Sequence, residues 1–358
     1  MSNSTTIKFI GRKNELQKLQ ALFSDRRAAL VVVNGRRRIG KSRLVAEFAK
    51  GKRFLSISGL APSQGTTAQM QRDHFGRHLA KLLGVPPMSF ADWSDAFDYL
   101  FHCIDDDKET VILLDEISWM GSCDPTFIPK LKNWWDDQVS HRPKTMLVFC
   151  GSVSTWIEKN IINSTAFFGR ISFHLTLEPL TLPESAAFLK SIGFKGSNFE
   201  MYQILSILGG IPWYLEQIKP DDTVEQNIKR LCFEKGGMLV NEFKAIFHDL
   251  FDKEKGLQKN ILDTLKDGAK TLAQVHKDLG KKPSGVWGKY MHQLITCGFV
   301  SQHPQWSLKT HLPLKQSLYR ISDPFIRFYL KFIEPELGRI SNNYFSELQP
   351  SEIFGFGF

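Results

Sequence analysis

The chain has 358 residues, of which 42% are apolar and 23% charged, and it carries a net charge of +9. That length calls for two or three domains, each with its own core, and the balance of apolar and charged residues excludes a disordered or fibrous class. No run approaches the roughly 18 apolar residues of a membrane span, the polar start from Met1 to Lys8 lacks a signal-peptide core, and five widely spaced cysteines fit neither a disulfide framework nor a zinc knuckle. These exclusions predict a cytoplasmic protein with reduced cysteines and no membrane partner.

From Ala29 to about Pro179, short apolar runs rich in β-branched residues alternate with helical stretches, the pattern of a parallel sheet covered on both faces. Strands are predicted at 29–34, 53–58, 110–115, 145–150 and 171–177. The first runs into Gly35-Arg36-Arg37-Arg38-Ile39-Gly40-Lys41-Ser42, the Walker A pattern, and a helix opening at Arg43 follows. Glycines there let backbone N–H groups wrap a phosphate, and the helix N-terminus adds partial positive charge. In this reading Lys41 bridges the outer phosphates of ATP or ADP and Ser42 ligates Mg2+. Four fixed positions arise by chance in roughly one chain in a hundred of this length. The three arginines either touch the nucleotide or form a solvated face.

The third strand, Thr110-Val111-Ile112-Leu113-Leu114, delivers Asp115 and Glu116 to its carboxyl end. Asp115 is placed to orient Mg2+ and its waters, and Glu116 to polarise the attacking water, which favours hydrolysis over kinase-type transfer. The fourth strand ends in Gly151-Ser152. Ser152 is either a sensor of the γ-phosphate or a simple turn serine. Gly169-Arg170 opens the last strand, where Arg170 either reaches phosphate oxygens, in cis or across a subunit boundary, or makes a surface salt bridge.

Between Thr181 and Phe251 the apolar residues recur at helical spacing, with helices predicted at 184–192, 199–208 and 224–233. Gly209 and Gly210 end one helix and Pro212 starts the next, a turn whose exposed N-terminus suits a ligand or is a plain helix break. A third region has predicted helices at 257–266, 272–279 with Thr271 as N-cap, and 285–296 with Ser284 as cap. Extended arms follow at 299–302 and 317–321. Three helices closed by two arms describe a winged helix-turn-helix. Residues 253–320 hold twelve Lys/Arg against four Asp/Glu, a net +8. Lys281, Lys282 and Lys289, at and just before the recognition-helix position, either contact the phosphates of double-stranded DNA or are solvated on a packing module. The domain plan is a core over 1–180, a helical lid over 181–252, the winged helix over 253–334 and a partly ordered tail over 335–358.

The order and spacing of these motifs resemble the prokaryotic, predominantly archaeal ATPase family of the AAA+ superfamily that is related to STAND NTPases. The resemblance spans roughly Phe9 to Pro335 and adds Phe9-Ile10-Gly11-Arg12 with Glu15, Phe168-Gly169-Arg170, Gly209-Gly210-Ile211-Pro212, and Tyr319-Arg320-Ile321-Ser322-Asp323-Pro324-Phe325 with an aromatic helix over 326–332. It implies an α/β P-loop NTPase core, a helical lid and a winged helix, with Phe9, Gly11 and Arg12 against the adenine and the Pro212 turn closing on the nucleotide. Arg43 joins the nucleotide contacts on the same ground. Many members continue into a restriction-endonuclease-like domain; no Asp/Glu-x-Lys cluster follows Phe332 in this chain, so no nuclease activity is expected. The resulting expectation is an ATP-hydrolysing switch coupled to DNA, with self-association left open. The alternative is a DNA-independent switch whose winged helix packs on the core or binds a protein.

Overall fold

A computed structural model describes residues 8–25, 27–104, 108–152, 155–251, 256–280 and 285–342. The chain forms two compact units, Arg12–Glu178 and Met1–Gly11 with Pro179–Phe358.

The Arg12–Glu178 unit is built on five parallel strands, β1 (Ala29–Gly35), β2 (Arg53–Ser58), β3 (Thr110–Asp115), β4 (Thr145–Ser152) and β5 (Phe173–Leu177), in the order β2-β3-β4-β1-β5. Valine, isoleucine and leucine dominate the central strands because both faces are covered. One face presents Leu30, Val32, Ile112, Leu114, Leu147 and Phe149 to a core shared with the helices Ala68–Leu83, Trp93–His102 and Phe127–Asp137. Trp93 and Phe97 stack at 5.6 Å between centroids, Phe97 and Trp134 at 5.1 Å, and Phe127 meets Trp93 edge-on at 4.9 Å. Each such pair adds about 0.5–1.5 kcal/mol beyond its buried area. The opposite face packs on the helix Lys41–Phe48, and Val31, Val33, Leu113 and Val148 are buried there. β5 starts at Phe173, two residues later than the apolar pattern predicts. Gly169 turns the chain with φ 73°, and Ser172 is spent on Leu30, donating its N–H to the Leu30 carbonyl and accepting the Leu30 N–H on its hydroxyl.

The second unit opens with the helices Leu182–Ser191, Asn198–Leu208, Pro212–Leu215, Val224–Cys232 and Glu242–Phe251. Three of them start in a capping box, Thr181 with Glu184, Ser197 with Glu200 and Thr223 with Gln226, so two orphan donors are satisfied at each start. Then come the helix Leu257–Leu265, the two-residue strand β6 (Lys270–Thr271), the helices Leu272–Asp278 and Gly285–Thr296, and the strands β7 (Val300–Trp306) and β8 (Pro313–Ile321). Thr271 caps its helix with Gln274 in a fourth box. The strands form one antiparallel sheet in the order β6-β8-β7. The arms are longer than the 299–302 and 317–321 expected, because Pro304, Pro313 and a register irregularity between Pro304 and Trp306 hide the strand periodicity. Lys281, Lys282 and the Ser284 cap lie outside the described residues.

The boundary expected at 252/253 falls inside this unit, which shares one aromatic core. Tyr214 meets Phe325 at 5.1 Å, Phe233 meets Phe328 at 6.0 Å, and Phe243 stacks on Tyr329 at 4.5 Å with rings 5° apart. Phe328 and Tyr329 belong to the aromatic segment predicted as a helix over 326–332, and Phe325 immediately precedes it. It begins as the helix Pro324–Phe328, capped by Asp323, and widens into a π-helical turn at Tyr329–Ile333.

Candidate nucleotide-binding and hydrolytic site

The site is assembled at the carboxyl ends of β1, β3 and β4, where Gly35 pairs with Ser152 and Asp115 is the last residue of its strand. Gly35 is where β1 leaves the sheet beside β5. A Cβ there would stand 2.7 Å from the Leu177 carbonyl oxygen, so only glycine lets the loop begin at this point. Ile39, fully buried, anchors the loop in the core, and Gly40, with φ 93°, turns the chain into the helix that starts at Lys41. Arg38 also takes a left-handed backbone, φ 67°.

Lys41 is 6% exposed, and its ammonium donates to the carbonyl oxygens of Gly35 and Arg36, both at 3.2 Å. Its cation is thereby held inside the loop. The Ser42 hydroxyl donates to Asp115 Oδ2 at 2.6 Å, and Asp115 Oδ1 accepts the Glu116 N–H at 3.1 Å. Glu116 has φ 48° and ψ 50°, a conformation rare for a side-chain-bearing residue, and it precedes the helix Ile117–Gly121. Its carboxylate accepts the Ser152 N–H at 3.3 Å and faces the Ser152 hydroxyl at 3.5 Å. Ser42, Asp115, Glu116 and Ser152 thus form one continuous chain of contacts, although the sequence separates the first two by 73 residues and the last two by 36. Beneath them, burial and then the negative charge of Asp115 push the Cys150 thiol well above its ordinary range, which keeps it neutral.

Arg36 is 9% exposed, which speaks against the solvated-face alternative for it; Arg37, Arg38 and Arg43 are half-buried. The Arg170 guanidinium makes a two-pronged ion pair with Asp136, Nε to Oδ1 at 2.6 Å and Nη2 to Oδ2 at 2.8 Å, and that pairing holds Asp136 at about 2. Asp136 escaped the sequence reading, because it sits 34 residues away on a helix whose Trp-Trp-Asp-Asp ending carries no motif. Arg12 begins the helix Lys13–Ser24 with φ 60° and pairs with Glu15 at 3.4 Å. Phe9, Gly11 and Pro212 belong to the other unit. There Gly11 lies against the Glu184 carboxylate, and Pro212 opens its short helix after a turn pinned by the Leu180 N–H on the Gly210 carbonyl at 2.8 Å. Lys289 lies in the helix Gly285–Thr296, its ammonium 5.7 Å from the Tyr290 ring centre.

A loop that closes around a lysine, followed by a hydroxyl and by two carboxylates at the end of a strand one removed in the sheet, is the apparatus of a P-loop ATPase. The sequence model of an ATPase domain predominantly from Archaea matches residues 9–218, and the chain belongs to that family of ATP-hydrolysing enzymes. An uncharacterized protein of Methanocaldococcus jannaschii is 25% identical over 346 residues, covering 94% of this chain and 71% of the relative. An uncharacterized ATP-binding protein of the same organism is 36% identical over 52 residues, 14% of this chain and 88% of that protein. Among solved structures, the Walker-type ATPase of Pyrococcus abyssi superposes with a TM-score of 0.66 at 15% identity, over 90% of this chain and 96% of its own. The ORC2 protein of Aeropyrum pernix, in its ADPNP–ADP complexes, gives 0.59 at 14% identity over 96% and 98%. At such identities these structures establish the fold alone. Among the described residues, no helix is long and apolar enough to cross a membrane.

Proposed function

We propose that the protein is a nucleotide-dependent switch in which hydrolysis at the P-loop resets a DNA-binding winged helix. The contact chain Ser42–Asp115–Glu116–Ser152 carries the hydrolytic half of this reading. Lys41 and the amides of Gly35 to Ser42 would hold the phosphates, with Arg36, Arg37, Arg38 and Arg43 around them. The Ser42 hydroxyl and the Asp115 carboxylate, 2.6 Å apart, are hard oxygen donors of the kind Mg2+ takes beside a nucleotide, so the residues present fit that ion. When bound, Mg2+ would neutralise phosphate charge. Glu116 is the base that polarises water, Ser152 holds its carboxylate in place, and Phe9, Gly11, Arg12 and Pro212 are assigned to the nucleotide on the resemblance.

The DNA half rests on charge, since residues 279–322 contain six Lys/Arg and no Asp/Glu. A second reading, a DNA-independent switch whose third region serves packing or a protein partner, draws support from the aromatic core that region shares with the helices before it. The discriminating experiment is duplex affinity measured with no nucleotide, with ADP and with a non-hydrolysable ATP analogue. The DNA reading expects binding that changes with nucleotide state. No measurable binding at low salt in any state would leave the second reading alone.

A further inference from the structure

The left-handed backbone of Glu116, φ 48° and ψ 50°, is one that a glutamate keeps only where its surroundings impose it. Close backbone contacts supply that constraint. The Glu116 carbonyl accepts the Trp119 N–H at 2.9 Å, and the Asp115 carbonyl accepts the Gly59 N–H at 2.9 Å. Gly59 is the first residue beyond β2, and a Cβ there would stand 2.8 Å from the Glu116 carbonyl oxygen and 3.1 Å from Trp119 Cβ. The chain leaving β2 is thus laid directly against the peptide that sets the direction of the Glu116 side chain.

That chain is held in turn by a side chain that belongs to no catalytic motif. Gln71, 1% exposed on the helix Ala68–Leu83, closes a ring on the backbone of Leu60: its Oε1 accepts the Leu60 N–H at 2.9 Å and its Nε2 donates to the Leu60 carbonyl at 2.8 Å. An amide offers an acceptor and a donor side by side, so it satisfies both backbone groups of one residue at once. The next residue on the helix, Arg72, donates from Nη1 to Asp124 Oδ2 at 3.2 Å. Asp124 lies just beyond the helix Ile117–Gly121 that Glu116 opens. One turn of the helix Ala68–Leu83 therefore grips the chain on both sides of the Glu116 helix. A misplacement of about 1 Å can cost a catalytic group about a hundredfold in rate, so this grip matters to chemistry.

We infer that Gln71 is a positioning residue for hydrolysis: through Leu60 and Gly59 it holds the Glu116 backbone in its left-handed conformation and so aims the carboxylate. This rests on the reading of Glu116 as the base and deepens it, by naming what fixes the base in place.

The test measures single-turnover ATP cleavage and nucleotide Kd in the full chain for Gln71→Leu, for Gly59→Ala and for each combined with Glu116→Gln. Gln71→Leu removes both bonds to Leu60, whereas Gly59→Ala keeps them and presses a methyl group on the Glu116 carbonyl. Each single variant is expected to cleave about ten- to a hundredfold more slowly with Kd unchanged. Neither should slow Glu116→Gln further, because the aim of a missing carboxylate has no effect; a side chain that only supports the fold would multiply with it. Melting curves on every variant fix an assay temperature at which all are folded. Should Gln71→Leu not fold, Gln71→Glu is read by the same criteria, since it keeps the acceptor for the Leu60 N–H and loses only the donor. Parental cleavage in the folded single variants, a rise in Kd that accounts for the loss, or a deficit that multiplies with that of Glu116→Gln would each overturn the inference and leave Glu116 as the base. Normal cleavage by Glu116→Gln would remove the base and the inference together.

Discussion

Lys41 donates to two carbonyl oxygens of its own loop, so a phosphate entering there would replace neutral acceptors with charged ones around a cation. Lys41→Ala removes that charge-assisted contact and is expected to raise the nucleotide Kd by about ten- to a hundredfold. Titration calorimetry on the folded variant checks this, and near-parental affinity would remove Lys41 from the site. Glu116→Gln separates binding from chemistry. Glutamine keeps an oxygen to accept the Ser152 N–H but loses the charge proposed to polarise water, so nucleotide affinity should hold while turnover falls about 10²- to 10⁴-fold. Normal turnover would send the search for the base elsewhere. Arg170 can be tested against its own partner. If its only task is the Asp136 pair, Arg170→Ala and Asp136→Ala should slow hydrolysis equally little; if it also meets phosphate, Arg170→Ala should slow hydrolysis far more. Activity recovered on mixing Arg170→Ala with Glu116→Gln would place the arginine across a subunit boundary.

Elements defined by local rules were legible before the structure, and those defined by distant partners were not. The Walker A loop, the strands 53–58 and 110–115, the helix Gly285–Thr296 and the Thr271 cap depend on a few neighbouring residues, and the observed bounds agree with the pattern. β6 was invisible because two residues carry no periodicity and its pairing partner, Tyr319, lies far along the chain. Ser152 was picked from its place at a strand end, yet its hold on Glu116 follows only from strand register, and Asp136 carried no signal at all. The aromatic segment 324–333 shows the same limit, since no local motif marks its shift from α to π geometry at Tyr329. Tyr329 is fully buried there, its ring stacked on Phe243 while its hydroxyl finds no hydrogen-bond partner among the described residues. Burial, then the charge of Glu334, pushes this phenol up to about 12. Tyr329→Phe keeps the ring and discards an unpaired buried hydroxyl, so it should hold or raise stability, by up to about 1 kcal/mol. The raised value also sets a pH window. The tyrosine's neutral form contributes in full below about 10, its unfolded value, and that contribution is lost as the pH rises through about 12. Melting curves should therefore show the parent losing more stability than the variant across that interval. A Tm fall of several degrees at neutral pH would mean the hydroxyl has a partner.

Across the whole molecule the positive charge is concentrated in one stretch, with residues 253–320 carrying a net +8 while the rest of the chain is nearly balanced. A polyanion would therefore be attracted to one region only, and the phosphates it brings would displace counterions there. Lys289, in the helix Gly285–Thr296, and Lys281 and Lys282, which precede that helix in sequence, are the residues proposed to contact phosphate. Each phosphate neutralised releases about 0.9 of a counterion, so removing three such contacts should flatten the dependence of log K on log salt by about two to three units. Because phosphates carry no sequence information, the triple alanine variant should also weaken binding by a similar factor on unrelated duplexes. Fluorescence anisotropy over a salt series on two sequences reads both quantities at once. A parallel line of unchanged slope would mean that the three lysines are solvated and that the contacts lie elsewhere. A loss confined to one sequence would mean that they read bases rather than phosphates.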